Sequence, residues 1–254
     1  MQQLHVEASG EGPPLVLAHG FTQTGRCWGS LGNLLRTNHE LRAVDLPGHG
    51  GSSDVRADLV EAGNLLAEAG GSGTFDLLGY SLGARIALHA ALSRPERIGR
   101  LVLIGGTPGI VDAPARQVRR QRDDELAEEL ERSGDVDAFI DRWLTNPMFA
   151  RLPHDPAAVA ERKRNTAPGL ASSLRLAGTG TQAPLWERLS TLELPTLLVV
   201  GTTDVRFTAI AEAMVHAAPN AVLALVAGAG HAAHAEQPAL TSRIIGSWLA
   251  QTPH

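Results

Sequence analysis

The pentapeptide Gly-Tyr-Ser-Leu-Gly at residues 79–83 constrains the fold of this chain more than any other stretch. The apolar run at 74–78 predicts a short buried strand before it, and the alanine-rich run at 82–94 predicts a helix after it. A serine in such a sharp strand-to-helix turn is strained, needs small neighbours, and presents its hydroxyl at the end of a sheet. In this context the pattern predicts that Ser81 is a nucleophile rather than part of an ordinary Gly/Ser turn.

Apolar and helical runs alternate through most of the chain. The other predicted strands are 4–8, 15–18, 41–44, 101–104, 195–201 and 221–226, and the other helices of this part are 28–35, 58–69, 209–217 and 238–250. Continuous apolar runs are typical of strands covered on both faces, and the alternation indicates a mostly parallel central sheet flanked by helices. The predicted fold class is therefore α/β, with ligands binding beyond the carboxyl ends of the strands.

The alternation stops between residues 112 and 185, where no run reads as a strand. Amphipathic and charged runs predict helices at 118–132, 136–144, 157–164 and 170–176. A helical insertion between core strands is typical of a lid over a binding site. We therefore expect a core of residues 1–111 and 186–254 with a helical cap at 112–185.

Composition excludes several classes of protein. The chain has 254 residues, enough for one α/β domain with an insertion, and its formal net charge of −5 gives no sign of a nucleic-acid-binding surface. No apolar stretch approaches the roughly 20 residues that span a bilayer, and residues 1–5 lack the features of a signal peptide. The single cysteine, Cys27, excludes an internal disulfide framework. We expect a cytoplasmic monomer or weak homodimer, without nucleic-acid or membrane partners.

A serine hydroxyl becomes an effective nucleophile or base when a histidine takes its proton and an acid orients that histidine. Asp204 follows the predicted strand at 195–201, and His231 follows the last predicted strand. Both therefore lie at the same sheet edge as Ser81, in the chain order serine, acid, histidine. An aspartate that only forms a turn and a histidine that is only exposed would not explain this combination, so we predict a catalytic triad.

The sequence offers candidates for the oxyanion hole but none for a metal. Gly20 lets the chain turn tightly after the strand at 15–18, which leaves the N–H of Phe21 free to act beside that of Leu82. The spacing of His231 and His234, with Glu236 nearby, superficially suggests a metal site. No further ligand group is evident, so neither a metal nor a cofactor is expected.

His49 lies in the Pro/Gly-rich loop at 45–52. That loop follows the predicted strand at 41–44 and cannot form regular structure. We therefore treat His49 as either a substrate contact or a residue that packs the loop.

The chain resembles the α/β-hydrolase superfamily over its whole length. Within it, the chain is most similar to the 2-succinyl-6-hydroxy-2,4-cyclohexadiene-1-carboxylate synthases of menaquinone biosynthesis. The stretches that carry the resemblance are His-Gly-Phe at 19–21, Asp-Leu-Pro-Gly-His-Gly at 45–50, Gly-Tyr-Ser-Leu-Gly-Ala-Arg at 79–85, Asp-Val-Arg-Phe at 204–207, Arg-Gln-Arg-Asp-Asp at 120–124 and Gly-Thr-Gly-Thr-Gln-Ala-Pro-Leu-Trp at 178–186. Arg206 stands where a lysine is common in that family.

The resemblance implies a lyase that removes a ring proton from a small anionic substrate and expels pyruvate without a cofactor. Three arginines would then bind substrate carboxylates. Arg85 lies one helical turn after Ser81, close to the nucleophile, and the family implies Arg120 and Arg162 as further contacts. Because Lys163 follows Arg162 directly, a one-residue gap would reassign that role. The family also implies that Tyr80 and Trp143 line the site.

Two alternatives remain open at this stage. The same triad could attack an ester, a thioester or a C–C bonded diketone through an acyl-enzyme, as in a serine hydrolase. A relative without catalytic activity could act as a binding module, although such relatives typically lack a triad residue and this chain has all three.

Overall fold

The computed structural model describes residues 2–253 and contains a seven-stranded sheet. The strands are β1 (Val6–Ser9), β2 (Pro14–Ala18), β3 (Glu40–Val44), β4 (Phe75–Tyr80), β5 (Ile98–Ile104), β6 (Thr196–Gly201) and β7 (Ala221–Val226). Their order across the sheet is β1-β3-β2-β4-β5-β6-β7. Only the β1–β3 pairing at one edge is antiparallel, and the other five pairings are parallel. The prediction of a mostly parallel α/β sheet is confirmed.

Helices cover both faces of this sheet. They are α1 (Gly29–Leu35), α2 (Leu59–Ala69), α3 (Leu82–Ser93), α4 (Ala113–Ser133), α5 (Val136–Trp143), α6 (Pro156–Arg162), α7 (Ala167–Ala177), α8 (Val205–Ala217), α9 (Ala233–Glu236) and α10 (Pro238–Gln251). Short 3₁₀ helices lie at Gly50–Ser52, Pro95–Arg97, Pro147–Phe149 and Trp186–Thr191. None of the α-helices within residues 2–253 is both long and apolar enough to cross a membrane.

Two apolar cores, one on each face of the sheet, follow from the alternation of side chains along each strand. In β4, Phe75 and Leu77 pack in the core that includes α2 and α3. Leu78 and Tyr80 pack in the opposite core, which includes α1 and α10. Every residue of β4 is buried, and apart from Asp76 the strand therefore reads as a nearly continuous apolar run in the sequence.

Polar caps determine where several helices begin, and they explain the main differences from the predicted boundaries. The Asp112 carboxylate accepts the Ala115 N–H, so α4 begins at Ala113 and not at 118. Asp204 accepts the Phe207 N–H in the same way, so α8 begins four residues before the predicted start at 209. Capping aspartates satisfy N–H groups that have no intrahelical acceptor.

The segment between β5 and β6 contains α4, α5, α6 and α7. Its division from the core as a helical cap (residues 112–185) stays a prediction, and we keep that name for the segment. Its helices enclose an apolar cluster of their own, which includes Ala127, Leu130, Ile140 and Leu170. Phe21, from the loop after β2, packs against this cluster and connects the cap to the core.

A buried ion pair links the middle of the sheet to the last helix. The Arg100 guanidinium in β5 donates to both carboxylate oxygens of Asp76 in β4, at 2.9 Å from Nε and 2.5 Å from Nη2. Arg100 Nη1 also donates to the carbonyls of Leu249 and Thr252, at the end of α10. Asp76 is fully buried and Arg100 is 7% exposed. A single guanidinium therefore holds two strands and the carboxyl end of α10 together.

Candidate active site

Ser81 lies in the turn between β4 and α3 with φ 51° and ψ −105°, a conformation that strains a residue with a side chain. The turn is held by hydrogen bonds from Ser81 N–H to the Ile104 carbonyl and from Gly83 N–H to the His19 carbonyl, both 2.9 Å. A Cβ atom at residue 83 would lie 1.9 Å from the Ala18 carbonyl oxygen. Glycine is required there for steric reasons, as the elbow pattern predicts.

The predicted triad residues lie within hydrogen-bond distance of one another. His231 Nε2 is 3.1 Å from Ser81 Oγ, and His231 Nδ1 is 2.9 Å from Asp204 Oδ2. The other carboxylate oxygen, Asp204 Oδ1, accepts the Phe207 N–H and is fixed by the first turn of α8. In this geometry the Nδ1–H of His231 donates to the carboxylate, which leaves Nε2 free to accept the Ser81 proton.

Glu236 fixes the loop that carries the histidine. Its carboxylate accepts the N–H of Gly230 at 2.6 Å and the N–H of Ala232 at 3.0 Å, on both sides of His231. His234 lies buried against Tyr80, with ring centroids 4.1 Å apart. Within residues 2–253, no group of three or more histidine, cysteine, aspartate or glutamate side chains could hold a metal ion.

The predicted oxyanion donors are next to the nucleophile. Leu82 is the first residue of α3, so its N–H has no acceptor within the helix. The turn that carries Phe21 is fixed by Gln23, whose side-chain oxygen accepts the Gly20 N–H at 2.8 Å. Phe21 and Leu82 line the same cavity as Ser81, and their role as an oxyanion hole stays a prediction.

This cavity, of about 700 Å³, lies between the carboxyl edge of the sheet and the helical cap. All three triad residues line it, as do the predicted Tyr80 and Trp143. Its cationic lining residues are Arg85, Arg119, Arg122, Arg151, Arg162 and Arg206. The two acidic lining residues already have partners, since Asp204 contacts His231 and Asp123 accepts from Arg119 at 2.8 Å. The cavity therefore carries an excess of positive charge.

Together with Arg162, Arg85 is one of the two buried cations of this set. It is 7% exposed, and its Nη1 donates to the Ala177 carbonyl at 2.7 Å. Within residues 2–253 its guanidinium has no carboxylate partner. Burial, reinforced by the nearby Arg119, lowers the pKa of Arg85 to about 10, so it remains charged at neutral pH. The carboxylate of Asp123 acts on Arg85 without forming a salt bridge with it. A buried cation without a contacting carboxylate is costly, and that Arg85 binds a substrate carboxylate stays a prediction.

Comparison with known proteins agrees with this geometry. The sequence profile of the Alpha/beta hydrolase family matches residues 15–244. The chain belongs to the alpha/beta hydrolase family. The match confirms the α/β-hydrolase fold expected from the elbow and the alternating strands.

Named relatives narrow the resemblance. This alpha/beta hydrolase is 35% identical over 244 residues to the 2-succinyl-6-hydroxy-2,4-cyclohexadiene-1-carboxylate synthase of Klebsiella pneumoniae subsp. pneumoniae, covering 94% of each chain. It is 35% identical to the protein of the same name from Enterobacter sp. (strain 638), covering 93% of this chain and 92% of the relative. Among solved structures, MenH from S. aureus matches with a TM-score of 0.89 at 28% identity over 99% of both chains. The chain is thus an enzyme of this family.

The structure distinguishes among the three consecutive basic residues at 162–164. Arg162 is 5% exposed, lines the cavity, and donates from Nη1 to the Thr22 hydroxyl. Burial lowers its pKa. Lys163 points away and pairs with Asp141 at 2.8 Å, while Arg164 is exposed. In this alpha/beta hydrolase, Arg162 is therefore the member of the three that reaches the site, as the family resemblance implies.

Arg120 does not lie where the resemblance implies. It is exposed and does not line the cavity, whereas its neighbours Arg119 and Arg122 do. A helix turns by about 100° per residue, so Arg119, Arg122 and Leu126 share one face of α4. Arg120 does not lie on that face. The expectation that Arg120 contacts a substrate carboxylate is therefore wrong. The arginines of α4 that line the cavity are Arg119 and Arg122.

His49 is a loop-packing residue and not a substrate contact. It is fully buried and is not among the cavity-lining residues. Its Nδ1 donates to the Pro47 carbonyl at 3.0 Å, and its Nε2 accepts the Thr22 N–H at 3.3 Å. Its ring meets Phe21 edge-to-face with centroids 5.7 Å apart. His49 thereby supports the loop of the predicted oxyanion donor, and burial lowers its pKa to about 3, so it is neutral.

Buried neutral histidines should make stability strongly pH-dependent. Burial lowers the pKa of His19 and His89 to about 4, and of His49 and His234 to about 3, from an ordinary value of 6.5. As the pH falls below 6.5, the unfolded chain takes up protons that the folded chain refuses. Each histidine should therefore reduce the free energy of unfolding by about 1.4 kcal/mol per pH unit, down to its folded pKa. Thermal unfolding followed by circular dichroism should show Tm falling steeply between pH 6.5 and 5.

A pair of variants checks whether buried histidines cause the dependence of Tm on pH. His89→Leu removes a ring whose nitrogens have no hydrogen-bond partner within residues 2–253, so it should flatten the dependence of Tm on pH. The matched His216→Gln changes an exposed histidine and should leave the slope unchanged. Equal slopes in the wild type and His89→Leu would show that buried histidines do not dominate acid destabilisation.

Proposed function

We propose that this enzyme is a 2-succinyl-6-hydroxy-2,4-cyclohexadiene-1-carboxylate synthase, which eliminates pyruvate from 2-succinyl-5-enolpyruvyl-6-hydroxy-3-cyclohexene-1-carboxylate. The observation that carries the proposal is the pair of buried arginines, Arg85 and Arg162, in a cavity that also contains the triad. The substrate has three carboxylates, which suit such cations. Relatives bearing this name match nearly the whole chain.

The triad then acts as a base relay. His231 Nε2 takes the proton of Ser81 Oγ, and the Ser81 oxygen removes the ring proton next to the succinyl carbonyl. The electron pair forms the new ring double bond, the existing one shifts, and the C–O bond to the enolpyruvyl group breaks. The released enolpyruvate regains a proton to give pyruvate, so the reaction is balanced without a cofactor.

Backbone N–H groups would stabilise the negative charge that develops during proton removal. The succinyl carbonyl becomes an enolate, and the N–H groups of Phe21 and Leu82 are the candidates to stabilise its oxygen. Arg85 and Arg162 would hold carboxylates and orient the ring carbon toward Ser81. Correct orientation matters because the reaction depends on one specific C–H bond being close to the base.

The triad geometry equally favours a second function, that of a serine hydrolase for a small anionic ester. The 3.1 Å contact between Ser81 and His231 suits attack on a carbonyl as well as proton abstraction. The lyase and the hydrolase differ in their substrates, so the test must include both the enolpyruvyl substrate and an ester.

Pyruvate release should be fast in the wild type and abolished by changes in the site. Purified protein is given the enolpyruvyl substrate, and pyruvate is followed with lactate dehydrogenase and NADH. Ser81→Ala should reduce kcat/KM by at least about 10³-fold, because the relay loses its base. Arg85→Ala should reduce it by about 30–100-fold, the loss expected for a charged hydrogen bond.

The control is Arg243→Ala, which removes an exposed arginine outside the cavity and should be neutral. The same variants are assayed with p-nitrophenyl butyrate. Pyruvate release no faster than the spontaneous reaction, together with ester turnover that depends on Ser81, would refute the lyase and support the hydrolase.

A further inference from the structure

Two arginines lie at the seam between the helical cap and the core and line the same two cavities. Arg122 is on α4 of the cap, and Arg206 is in the first turn of α8 in the core. Both line the catalytic cavity, and both also line a second cleft of about 370 Å³. Ile110 and Arg119 are shared by the two cavities as well. The second cleft is therefore an outer extension of the catalytic cavity, and we call it the outer cleft.

The charges in the outer cleft are not neutralised by the protein. Within residues 2–253, the guanidinium groups of Arg122 and Arg206 have neither a hydrogen-bond acceptor nor a carboxylate partner. Arg119 does have one, since it pairs with Asp123 at 2.8 Å. Within residues 2–253, exposed arginines elsewhere, such as Arg36, Arg132 and Arg243, also have no side-chain partner. What sets Arg122 and Arg206 apart is that both line the outer cleft where it joins the catalytic cavity.

Arg206 also lies close to the reacting groups. Its guanidinium is 5.8 Å from the centroid of the Phe207 ring, and that ring lies 4.4 Å from the ring of His231. Arg206 forms no ion pair with the nearby Asp204, whose carboxylate oxygens accept from His231 and from the Phe207 N–H. A charge at this position contributes to the field at the cavity entrance without belonging to the triad.

The arginines that line the catalytic cavity form two layers, one buried and one exposed at the outer cleft. Arg85 and Arg162 are deep in the cavity and nearly inaccessible, whereas Arg122 and Arg206 are exposed at its outer end. Exposed cations act on a charged ligand over roughly 10 Å at moderate ionic strength, so they meet an incoming anion first. Cations of like sign across a cleft repel one another, and an anion between them relieves that repulsion.

We propose that Arg122 and Arg206 form an outer carboxylate-binding site, which engages one carboxylate of a polycarboxylate substrate as it enters and retains it while Arg85 and Arg162 bind the others. Naming the enolpyruvyl substrate as that ligand rests on the proposed function. The binding of an anion does not, because it is argued from two cations without partners that line both the catalytic cavity and the outer cleft. The site selects for substrates with a carboxylate remote from the reacting bond.

The change Arg206→Gln should raise KM for the enolpyruvyl substrate by about 3–10-fold and leave kcat unchanged, because the lost contact binds ground state and transition state equally. The double variant Arg122→Gln/Arg206→Gln should raise KM further. The dependence of kcat/KM on salt between 20 and 500 mM KCl should be flatter in both variants. Arg206→Lys should restore most of the salt dependence, since it keeps the charge.

A pair of esters tests the site independently of pyruvate release. Mono-p-nitrophenyl adipate and p-nitrophenyl hexanoate share a six-carbon acyl chain, and only the adipate ester has a remote carboxylate. The ratio of their kcat/KM values should fall about 3–10-fold in Arg206→Gln and stay constant in the matched control Arg243→Gln. Ser81→Ala defines the background for both esters.

The outcomes separate the two proposals. An unchanged KM, an equal loss with both esters, or a loss confined to kcat would overturn the outer carboxylate-binding site. If pyruvate release is absent but the ester ratio depends on Arg206, the site stands and the synthase assignment fails. If pyruvate release is fast and neither KM nor its salt dependence changes in the double variant, the synthase assignment stands and the site fails.

Discussion

Replacing Asp204 with asparagine should reduce kcat by about 10⁴-fold while leaving the fold intact. The carboxylate accepts the Nδ1 proton of His231, and an asparagine amide can donate there instead, which stabilises the wrong tautomer of the imidazole. Asparagine is also a good N-cap, so the start of α8 should be preserved. The measurement is single-turnover pyruvate release, with ester turnover as a second readout and circular dichroism as the test of folding.

The matched control is Asp112→Asn, which alters another capping aspartate on a helix of the cap, outside the cavity-lining set. It should retain wild-type activity. A loss below tenfold for Asp204→Asn would mean that the contact between Asp204 and His231 does not set the tautomer during the reaction.

Replacing Arg100 with methionine should produce the largest loss of stability. The change leaves the fully buried carboxylate of Asp76 without its guanidinium and releases the carbonyls of Leu249 and Thr252. Removing one partner of a buried pair costs about 3–5 kcal/mol, a large part of the stability of a typical domain. Urea unfolding monitored by tryptophan fluorescence should show a correspondingly lower midpoint.

Two further variants serve as controls for the Arg100→Met experiment. Arg175→Met breaks an ion pair with Glu131 that is largely exposed, and it should change the midpoint far less. The double variant Asp76→Leu/Arg100→Met removes both charges and should recover part of the loss. A decrease below ~1 kcal/mol in Arg100→Met would show that water solvates Asp76 once the arginine is gone.

The parts of the fold and site that the sequence predicts follow from strand ends. In a parallel sheet, residues just after different strands meet at one edge, so Ser81, Asp204 and His231 could be brought together without coordinates. The helical cap was visible as a long stretch without strand patterns. The largest boundary difference, at the start of α4, occurs where a capping aspartate, Asp112, precedes the apolar pattern.

The parts that the sequence did not predict depend on rotation and on contacts that are distant along the chain. Arg119 and Arg120 are neighbours, and only the orientation of α4 decides which one faces the cavity. The polarity of His49 suits a ligand contact, yet both its ring nitrogens bond to backbone groups. The sequence indicates only a potential metal ligand at Glu236, because its two backbone partners come together only in the folded loop.

The two bonds of Asp204 couple catalysis to local unfolding. One oxygen is held by the Phe207 N–H in the first turn of α8, and the other orients His231. First turns of helices open at a lower free energy than the whole domain, so fraying of α8 disarms the enzyme while the rest of the chain is still folded. We therefore expect activity to report on sub-global opening and to be lost at a lower denaturant concentration than the spectroscopic signals of the core.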